Sequence, residues 1–285
     1  MKLSVTRKQK KFLDATAGEV LFGGAAGGGK SYGQLIDAFL YALTYPKSKQ
    51  LILRRTFAEL EKSLIRVSLT LFPREIYTYH ATSHTGRFPN GSIIDFGYCA
   101  TENDVFQYQS AEYDVVRFDE LTHFTEFQYL YLISRVRGVN GYPKQIKSST
   151  NPGGVGHGWV KARFIDPAPP ETPFIAEDGS TRVFIPSKIC DNGFLCRSDP
   201  DYERRLLALP EESARHYYTG IGIFLRGSIS GNFPMRYTPA TPFLSRQSGA
   251  VTAPLTMGLT AWLACGLQWI AREMSMCTEN YVSRI

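Results

Sequence analysis

The sequence has 285 residues, of which 43% are hydrophobic and 20% charged, and its formal net charge is +6. This composition is typical of a globular chain with a substantial core, and it excludes a collagen-like or intrinsically disordered protein. The five cysteines form no C-x-x-C pair, and their odd number argues against a disulfide framework. The net charge is too small to indicate nucleic-acid binding by itself.

Short apolar strands alternate with amphipathic helices in the first 220 residues. We predict strands at Glu19–Gly23, Gln50–Leu53, Asp114–Phe118 and Gln145–Ser149, and helices at Lys30–Leu43, Phe57–Leu71 and Glu126–Val136. Asn90-Gly91 predicts a hairpin turn between Arg87 and Phe96. The Pro-rich segment 167–172 is interpreted as a linker, and Asp199–Tyr218 as helical with a division at Pro210. The alternation predicts an α/β fold with a mostly parallel central sheet.

The composition changes near residue 220. Residues 221–285 contain only 7 charged residues and neither Lys nor Asp. The stretch from Gln247 to Ala271 has no charge, but glycines, Pro254 and several polar residues interrupt it, so we predict no membrane span. No helical or strand period persists in this segment.

A glycine-rich segment follows the first predicted strand. Gly24-Ala25-Ala26-Gly27-Gly28-Gly29-Lys30-Ser31 matches the G-x-x-x-x-G-K-[ST] pattern. Small residues let backbone N–H groups approach the phosphates of a nucleotide, Lys30 supplies positive charge, and Ser31 offers a hydroxyl to Mg²⁺. Because a strand precedes the segment and an amphipathic helix follows it, we predict a phosphate-binding loop and not a flexible linker.

Two adjacent carboxylates end a later strand. Asp119 has the position of a carboxylate that holds Mg²⁺, and Glu120 that of the group that activates the attacking water. A solvated turn is the alternative for this pair taken alone. Arg117 is unusual in such a strand and argues against its complete burial.

Other polar residues are candidates for supporting roles. Ser149, Thr150 and Asn151 follow the next strand, where a polar group could bond the γ-phosphate or the attacking water; a plain Asn-Pro-Gly turn is the alternative. Gln9 is a candidate for adenine recognition, since an amide matches the adenine edge. The candidates for a cation that stabilises transition-state charge are Arg54, Arg55, Arg135 and Arg137.

Five segments, in this order, resemble the large subunit of tailed-bacteriophage terminase, the motor that packages viral DNA: Val20–Ser31, Leu51–Thr56, Tyr108–Asp114, Phe118–Phe124 and Ser149–Gly154. The resemblance covers residues 5–220. It implies a RecA-like P-loop ATPase of the additional-strand class that uses ATP and Mg²⁺. It implies Walker A at Gly24–Ser31, Walker B at Val115–Asp119, catalysis by Glu120, and coupling of hydrolysis to DNA movement through Ser149-Thr150-Asn151.

The resemblance also implies partners and a location. These are double-stranded DNA, a terminase small subunit, a portal protein on which the chain forms a homo-oligomeric ring, and the host bacterial cytoplasm. Two alternatives stay open: a prophage remnant that at most binds ATP, and an unrelated P-loop enzyme. The adjacent carboxylates argue against a kinase, which would activate a substrate hydroxyl and not water.

The resemblance stops near residue 220, and we therefore divide the chain into an ATPase domain at 1–165, a linker or helical subdomain at 166–220, and an aberrant, poorly ordered tail at 221–285. The family's nuclease needs clustered carboxylates for two metal ions, but the last Asp is Asp201. We expect no nuclease activity. Back-translation of Ile221–Phe224 and Leu255–Thr260 yields family-like residues in another frame, so we hypothesise a frameshifted tail, which the nucleotide sequence tests.

Overall fold

The computed structural model describes residues 4–209, which belong to one compact unit of the chain. The strands are β1 (Glu19–Gly24), β2 (Lys49–Arg54), β3 (Thr78–His80), β4 (Thr85–Arg87), β5 (Ile93–Tyr98), β6 (Val115–Phe118), β7 (Gln145–Thr150), β8 (Phe174–Ile175) and β9 (Thr181–Ser187). The α-helices are α1 (Arg7–Asp14), α2 (Lys30–Thr44), α3 (Phe57–Leu60), α4 (Arg66–Leu71), α5 (Glu126–Ile133), α6 (His157–Val160), α7 (Gly193–Ser198) and α8 (Tyr202–Leu207). A π-helical turn, Glu61–Ile65, joins α3 to α4, and another, Lys161–Ile165, extends α6.

The strands of the described chain form one sheet in the order β3-β4-β5-β2-β6-β7-β1-β9-β8. The six strands from β5 to β9 in that order are mutually parallel, and β3, β4 and β8 add antiparallel edges. The predicted α/β fold with a mostly parallel sheet is confirmed. Because β7 lies between β1 and β6, the sheet has the extra strand that defines the additional-strand P-loop class.

Helices cover both faces of the sheet, as parallel strands with continuous apolar runs require. Alternate residues of β2 illustrate this: Leu51 and Leu53 pack in one buried cluster with residues of α5, whereas Ile52 packs in another with residues of α2 and α4. A third buried cluster joins Phe12 of α1 to β1 and β9. All parallel strands therefore end at one edge of the sheet, and their carboxyl ends form a common site.

The expectation that Arg117 would limit the burial of its strand is wrong. Every residue of β6 is buried, and the Arg117 side chain is 0% exposed. Its guanidinium pairs with Asp37 of α2 at 2.5 Å and donates two hydrogen bonds to Gln50. Lys147 of β7 also pairs with Asp37, at 2.7 Å. Buried charge is tolerated here because partners from three neighbouring elements satisfy it.

The structure differs from the predicted division at residue 165. Thr181–Ser187, inside the predicted linker subdomain, pairs in parallel with β1 and continues the central sheet. The Pro-rich segment before it suggested a linker, but Val183, Phe184 and Ile185 form a buried apolar run. Of the predicted helical segment 199–218, the part up to residue 209 contains α8 (Tyr202–Leu207), and the rest lies outside the described residues; α7 was not predicted. The predicted tail, including the stretch 247–271, lies outside the described residues. Among the described helices, none has the length and apolarity of a membrane span.

Candidate active site

The phosphate-binding loop connects β1 to α2 at the carboxyl edge of the sheet. Gly24, Gly27 and Gly29 have φ values of +130°, +73° and +73°, in the region that favours glycine. At Gly24 a Cβ would lie 2.5 Å from the carbonyl oxygen of Ser187. Gly29 caps α2 without a side-chain hydrogen bond, so the helix N-terminus keeps backbone donors for an anion.

Three side chains from outside the loop hold its last carbonyl groups. Asn192 Nδ2 donates to Gly27 O at 2.6 Å, Ser187 Oγ to Gly28 O at 2.9 Å, and Gln9 Nε2 to Gly29 O at 2.8 Å. Sequence reasoning missed Ser187 and Asn192. The available signal is that polar residues follow an apolar strand, but their role depends on β9 lying beside β1.

Both polar atoms of the Gln9 amide bond the backbone. Its Nε2 atom donates to Gly29 O, and its Oε1 atom accepts from Thr6 N at 2.8 Å as part of the capping box of α1. The structure places the amide against the phosphate-binding loop. The amide has one further N–H and one further lone pair, and adenine recognition by Gln9 stays a prediction.

The Lys30 ammonium lies buried beside the loop. It donates to Ala25 O at 2.5 Å and to Asn151 Oδ1 at 2.8 Å. Burial lowers the pKa of Lys30, while the charges of Glu120 and Asp119 act in the opposite direction. The buried charge is therefore available for an anion such as a phosphate.

Asp119 follows β6 and has the properties of a metal ligand. Its Oδ1 atom accepts hydrogen bonds from Ser31 Oγ at 3.1 Å and from Ser149 Oγ at 2.6 Å. Its Oδ2 atom is buried and has no hydrogen-bond partner among residues 4–209. Hydroxyl and carboxylate oxygens are the ligands that Mg²⁺ prefers. The unpartnered oxygen and the two hydroxyl groups fit a magnesium ion held by Asp119 and Ser31.

Glu120 is held in an unusual backbone conformation. Its φ of 61° and ψ of 57° are left-handed, which a non-glycine residue adopts at a cost and which often marks a functional position. Desolvation raises the pKa of its carboxyl group, and so does the charge of Asp119; Lys30 has the opposite effect. A carboxylate with a raised pKa is a suitable proton acceptor.

Asn151 connects the two charged groups of the site. Its Nδ2 atom donates to Glu120 Oε1 at 2.7 Å while its Oδ1 atom accepts from Lys30. Ser149 contacts Asp119, and the Thr150 hydroxyl lies 3.1 Å from that of Thr122. The end of β7 therefore contacts both motifs at once. The coupling role of Ser149-Thr150-Asn151 stays a prediction.

The four predicted arginines separate into two locations. Arg54, at the end of β2, lies within the site, and Arg55 beside it is exposed. Arg135 donates to Gln109 O and Arg137 pairs with Glu112, at the amino ends of the strands and on the opposite edge of the sheet. Within one copy of the chain, neither reaches the phosphate-binding loop.

These features define an additional-strand P-loop fold with a Walker-type carboxylate pair. The chain matches the family model described as "Terminase large subunit, T4likevirus-type, N-terminal" over residues 21–221, and it belongs to this family. The matched range ends beside the change in composition near residue 220. No curated protein sequence matches the chain.

Solved phage terminases have a similar fold. The large terminase of a thermophilic bacteriophage, in complex with ADP, aligns with a TM-score of 0.61 and 16% identity over 75% of this chain and 52% of its own length. Its complex with ATP-γ-S aligns with a TM-score of 0.59 at the same identity and coverage. The large terminase ATPase domain of Thermus phage P74-26 aligns with a TM-score of 0.52 and 15% identity over 75% of this chain and 92% of its own length. The chain thus spans about half the length of the first of these terminases.

Proposed function

We propose that this chain is an ATP-hydrolysing motor subunit that packages double-stranded viral DNA into a procapsid. The observation that carries the proposal is the convergence, at one sheet edge, of four groups from three distant segments: Lys30 of the loop, Asp119 and Glu120 after β6, and Asn151 after β7. Membership of the terminase family supports the same conclusion.

Each residue of the site has a role in the proposed hydrolysis. The phosphates of ATP would lie against the loop, with the Lys30 ammonium exchanging Ala25 and Asn151 for phosphate oxygens. Glu120 takes a proton from the attacking water as that water's oxygen bonds to the γ-phosphorus and the bond to the β–γ bridging oxygen breaks, giving ADP and phosphate. Ser31 and Asp119 would hold Mg²⁺, which supplies charge neutralisation on the phosphate oxygens.

The proposal includes the partners of the motor. Translocation requires a homo-oligomeric ring on a portal protein, DNA in the ring, and a small subunit that selects the DNA, all in the host cytoplasm. The arginine that completes the site of a neighbouring subunit would come from the surface, where the exposed Arg55 and Arg137 and the half-buried Arg135 are candidates.

ATP hydrolysis with and without double-stranded DNA tests the proposal. We expect Mg²⁺-dependent hydrolysis that Lys30→Ala and Glu120→Gln each reduce by a factor on the order of 100 or more. Glu120→Gln should retain ATP binding, whereas Lys30→Ala should lose it. Lys62→Ala and Glu75→Gln, at exposed positions, are the matched controls. Absence of Lys30-dependent hydrolysis would leave only a remnant that binds ATP.

We also propose that the chain has no nuclease activity. The support comes from the sequence, in which no Asp follows Asp201 and only five Glu residues do. Two metal ions require several shared carboxylate ligands. Incubation of the full chain with supercoiled plasmid and Mg²⁺ or Mn²⁺ should leave the plasmid intact. Metal-dependent nicking or linearisation that persists in Lys30→Ala contradicts the proposal.

A further inference from the structure

Arg54 faces the carboxylate pair from the neighbouring strand. Leu53 and Phe118 are register partners in the parallel pair β2–β6, and Asp119 N donates to Leu53 O at 2.8 Å. The residues that follow in each strand therefore lie side by side. Arg54 Nε lies 3.4 Å from Asp119 Oδ2, and Arg54 Nη2 lies 3.9 Å from Glu120 Oε1.

This ion pair leaves two buried atoms without hydrogen bonds. Within residues 4–209, neither Arg54 Nε nor Asp119 Oδ2 has a hydrogen-bond partner, although the two atoms are 3.4 Å apart and the Arg54 side chain is only 19% exposed. A carboxylate oxygen that holds a cation by charge alone keeps its lone pairs available. Asp119 Oδ2 therefore forms an ion pair with Arg54 and still has lone pairs available to bind a metal ion.

The other half of the Arg54 guanidinium is anchored in a helix. Arg54 Nη1 donates to Ser63 Oγ at 2.7 Å and to Glu59 O at 3.4 Å, and Ser63 Oγ donates to Glu59 O at 2.7 Å. Ser63 lies in the π-helical turn between α3 and α4. Such turns widen a helix and are frequent at functional positions. Arg54 thus connects the carboxylate pair to this helical segment.

The remaining cation of the site has other partners. Lys30 is engaged by Ala25 and Asn151 and faces the phosphate-binding loop. Among residues 4–209, Arg54 is the side chain in ion-pair contact with Asp119. It contacts the oxygen that Asp119 has available for a divalent cation, because Oδ2 is the oxygen that accepts no hydrogen bond from a hydroxyl group.

We propose that Arg54 is a positioning residue that competes with a divalent metal ion for Asp119 Oδ2. The inference rests on the proposed function for the identity of the metal. Asp119 Oδ2 binds either the guanidinium of Arg54 or a divalent cation. When the cation displaces the guanidinium, the hydrogen bond from Arg54 to Ser63 changes. Metal occupancy is thereby transmitted to the segment α3–α4.

Binding of Mn²⁺ to the nucleotide-free full chain, followed by electron paramagnetic resonance, tests the competition without hydrolysis. We expect Arg54→Gln to bind Mn²⁺ at least about tenfold more tightly than the wild-type chain, a factor comparable to the effect of a neighbouring opposite charge on the proton affinity of a carboxylate. Asp119→Asn introduced into Arg54→Gln should abolish the gain. Arg74→Gln, at an exposed position outside the site, should bind Mn²⁺ as the wild type does.

Ser63→Ala gives a second variant that leaves the carboxylates and Arg54 in place. It removes the anchor at 2.7 Å, so the guanidinium competes less well and Mn²⁺ affinity should rise by a smaller factor. Unchanged or weaker Mn²⁺ binding in the folded variants overturns the inference. ATP hydrolysis by the wild-type chain is measured separately: its absence contradicts the proposed function, whereas unaltered Mn²⁺ affinity in Arg54→Gln contradicts only the role of Arg54.

Discussion

Glu120 is the residue at which stability and function oppose one another. It combines a left-handed backbone, a desolvated carboxyl group and an adjacent carboxylate, Asp119. The left-handed backbone is unfavourable whatever the charge of Glu120, and desolvation and Asp119 are unfavourable when Glu120 is ionised. Desolvation and Asp119 also favour proton transfer to Glu120, because a carboxylate that resists ionisation is a stronger base.

The raised pKa of Glu120 predicts a pH-dependent effect of Glu120→Gln on stability. The folded protein holds this proton more tightly than the unfolded chain, so the free energy of unfolding falls as pH rises through the unfolded and then the folded pKa. Glu120→Gln removes that loss, and its thermal midpoint should exceed that of the wild type at neutral pH but not at acidic pH. Each unit of pKa shift corresponds to about 1.4 kcal/mol. Thermal denaturation at several pH values measures the effect.

The control for this experiment is Glu75→Gln, at an exposed position. It should change the thermal midpoint little at any pH. If Glu120→Gln is less stable than the wild type at neutral pH, the carboxylate is stabilised by Lys30 and Asn151 more than it is destabilised by desolvation and Asp119.

At the level of elements, the end of β9 supports the phosphate-binding loop. Ser187 and Asn192 each donate to a loop carbonyl. Loss of one neutral hydrogen bond costs about 1 kcal/mol. We therefore expect Ser187→Ala and Asn192→Ala each to weaken ADP binding by a factor of about 5, as measured by titration calorimetry. The exposed Ser198→Ala is the matched control, and equal affinities in all three variants would show that the loop keeps its shape without this support.

The buried charges behind the loop form a second connection between elements. Arg117 of β6 pairs with Asp37 of α2, the helix that begins with Lys30. Removing one partner of a buried pair leaves the other uncompensated. Arg117→Met should lower the free energy of unfolding by about 3 kcal/mol, measured by urea denaturation. The exposed Arg74→Met is the control, and a loss below about 1 kcal/mol would show that Lys147 alone compensates Asp37.

These elements show what sequence reasoning can reach. The phosphate-binding loop and the Asp119-Glu120 pair are contiguous motifs, and an apolar strand before each one fixes its place at the carboxyl edge. Ser187 and Asn192 bond residues about 160 positions earlier, and their local signal, polar residues after an apolar strand, does not show which residues they contact. The burial of Arg117 was likewise mispredicted because its partners, Asp37 and Gln50, come from two other elements.

On the scale of the whole molecule, the order of the strands determines which motifs contact one another. With β7 between β1 and β6, residues at the end of β7 contact Lys30 on one side and Glu120 on the other. A movement of β7 therefore affects both sides of the site at once. The predicted boundary at residue 165 would divide this sheet, because β9 lies beyond the boundary and pairs with β1. After β9, Leu195 of α7 and Tyr202 of α8 lie beside Gly27 of the phosphate-binding loop.

If Gln9 recognises adenine as predicted, its two hydrogen bonds connect nucleotide binding to the amino end of the first helix. One amide both caps the amino end of α1 and holds Gly29. A bound base that takes the Oε1 atom of this amide releases the backbone N–H of Thr6, the N-cap residue of α1, to solvent, and loss of a cap costs a helix about 1 kcal/mol. Amide hydrogen exchange at Thr6 should then accelerate about fivefold on ADP binding. Slower exchange would mean that the base is bound elsewhere, and that α1 is clamped by ligand instead of released by it.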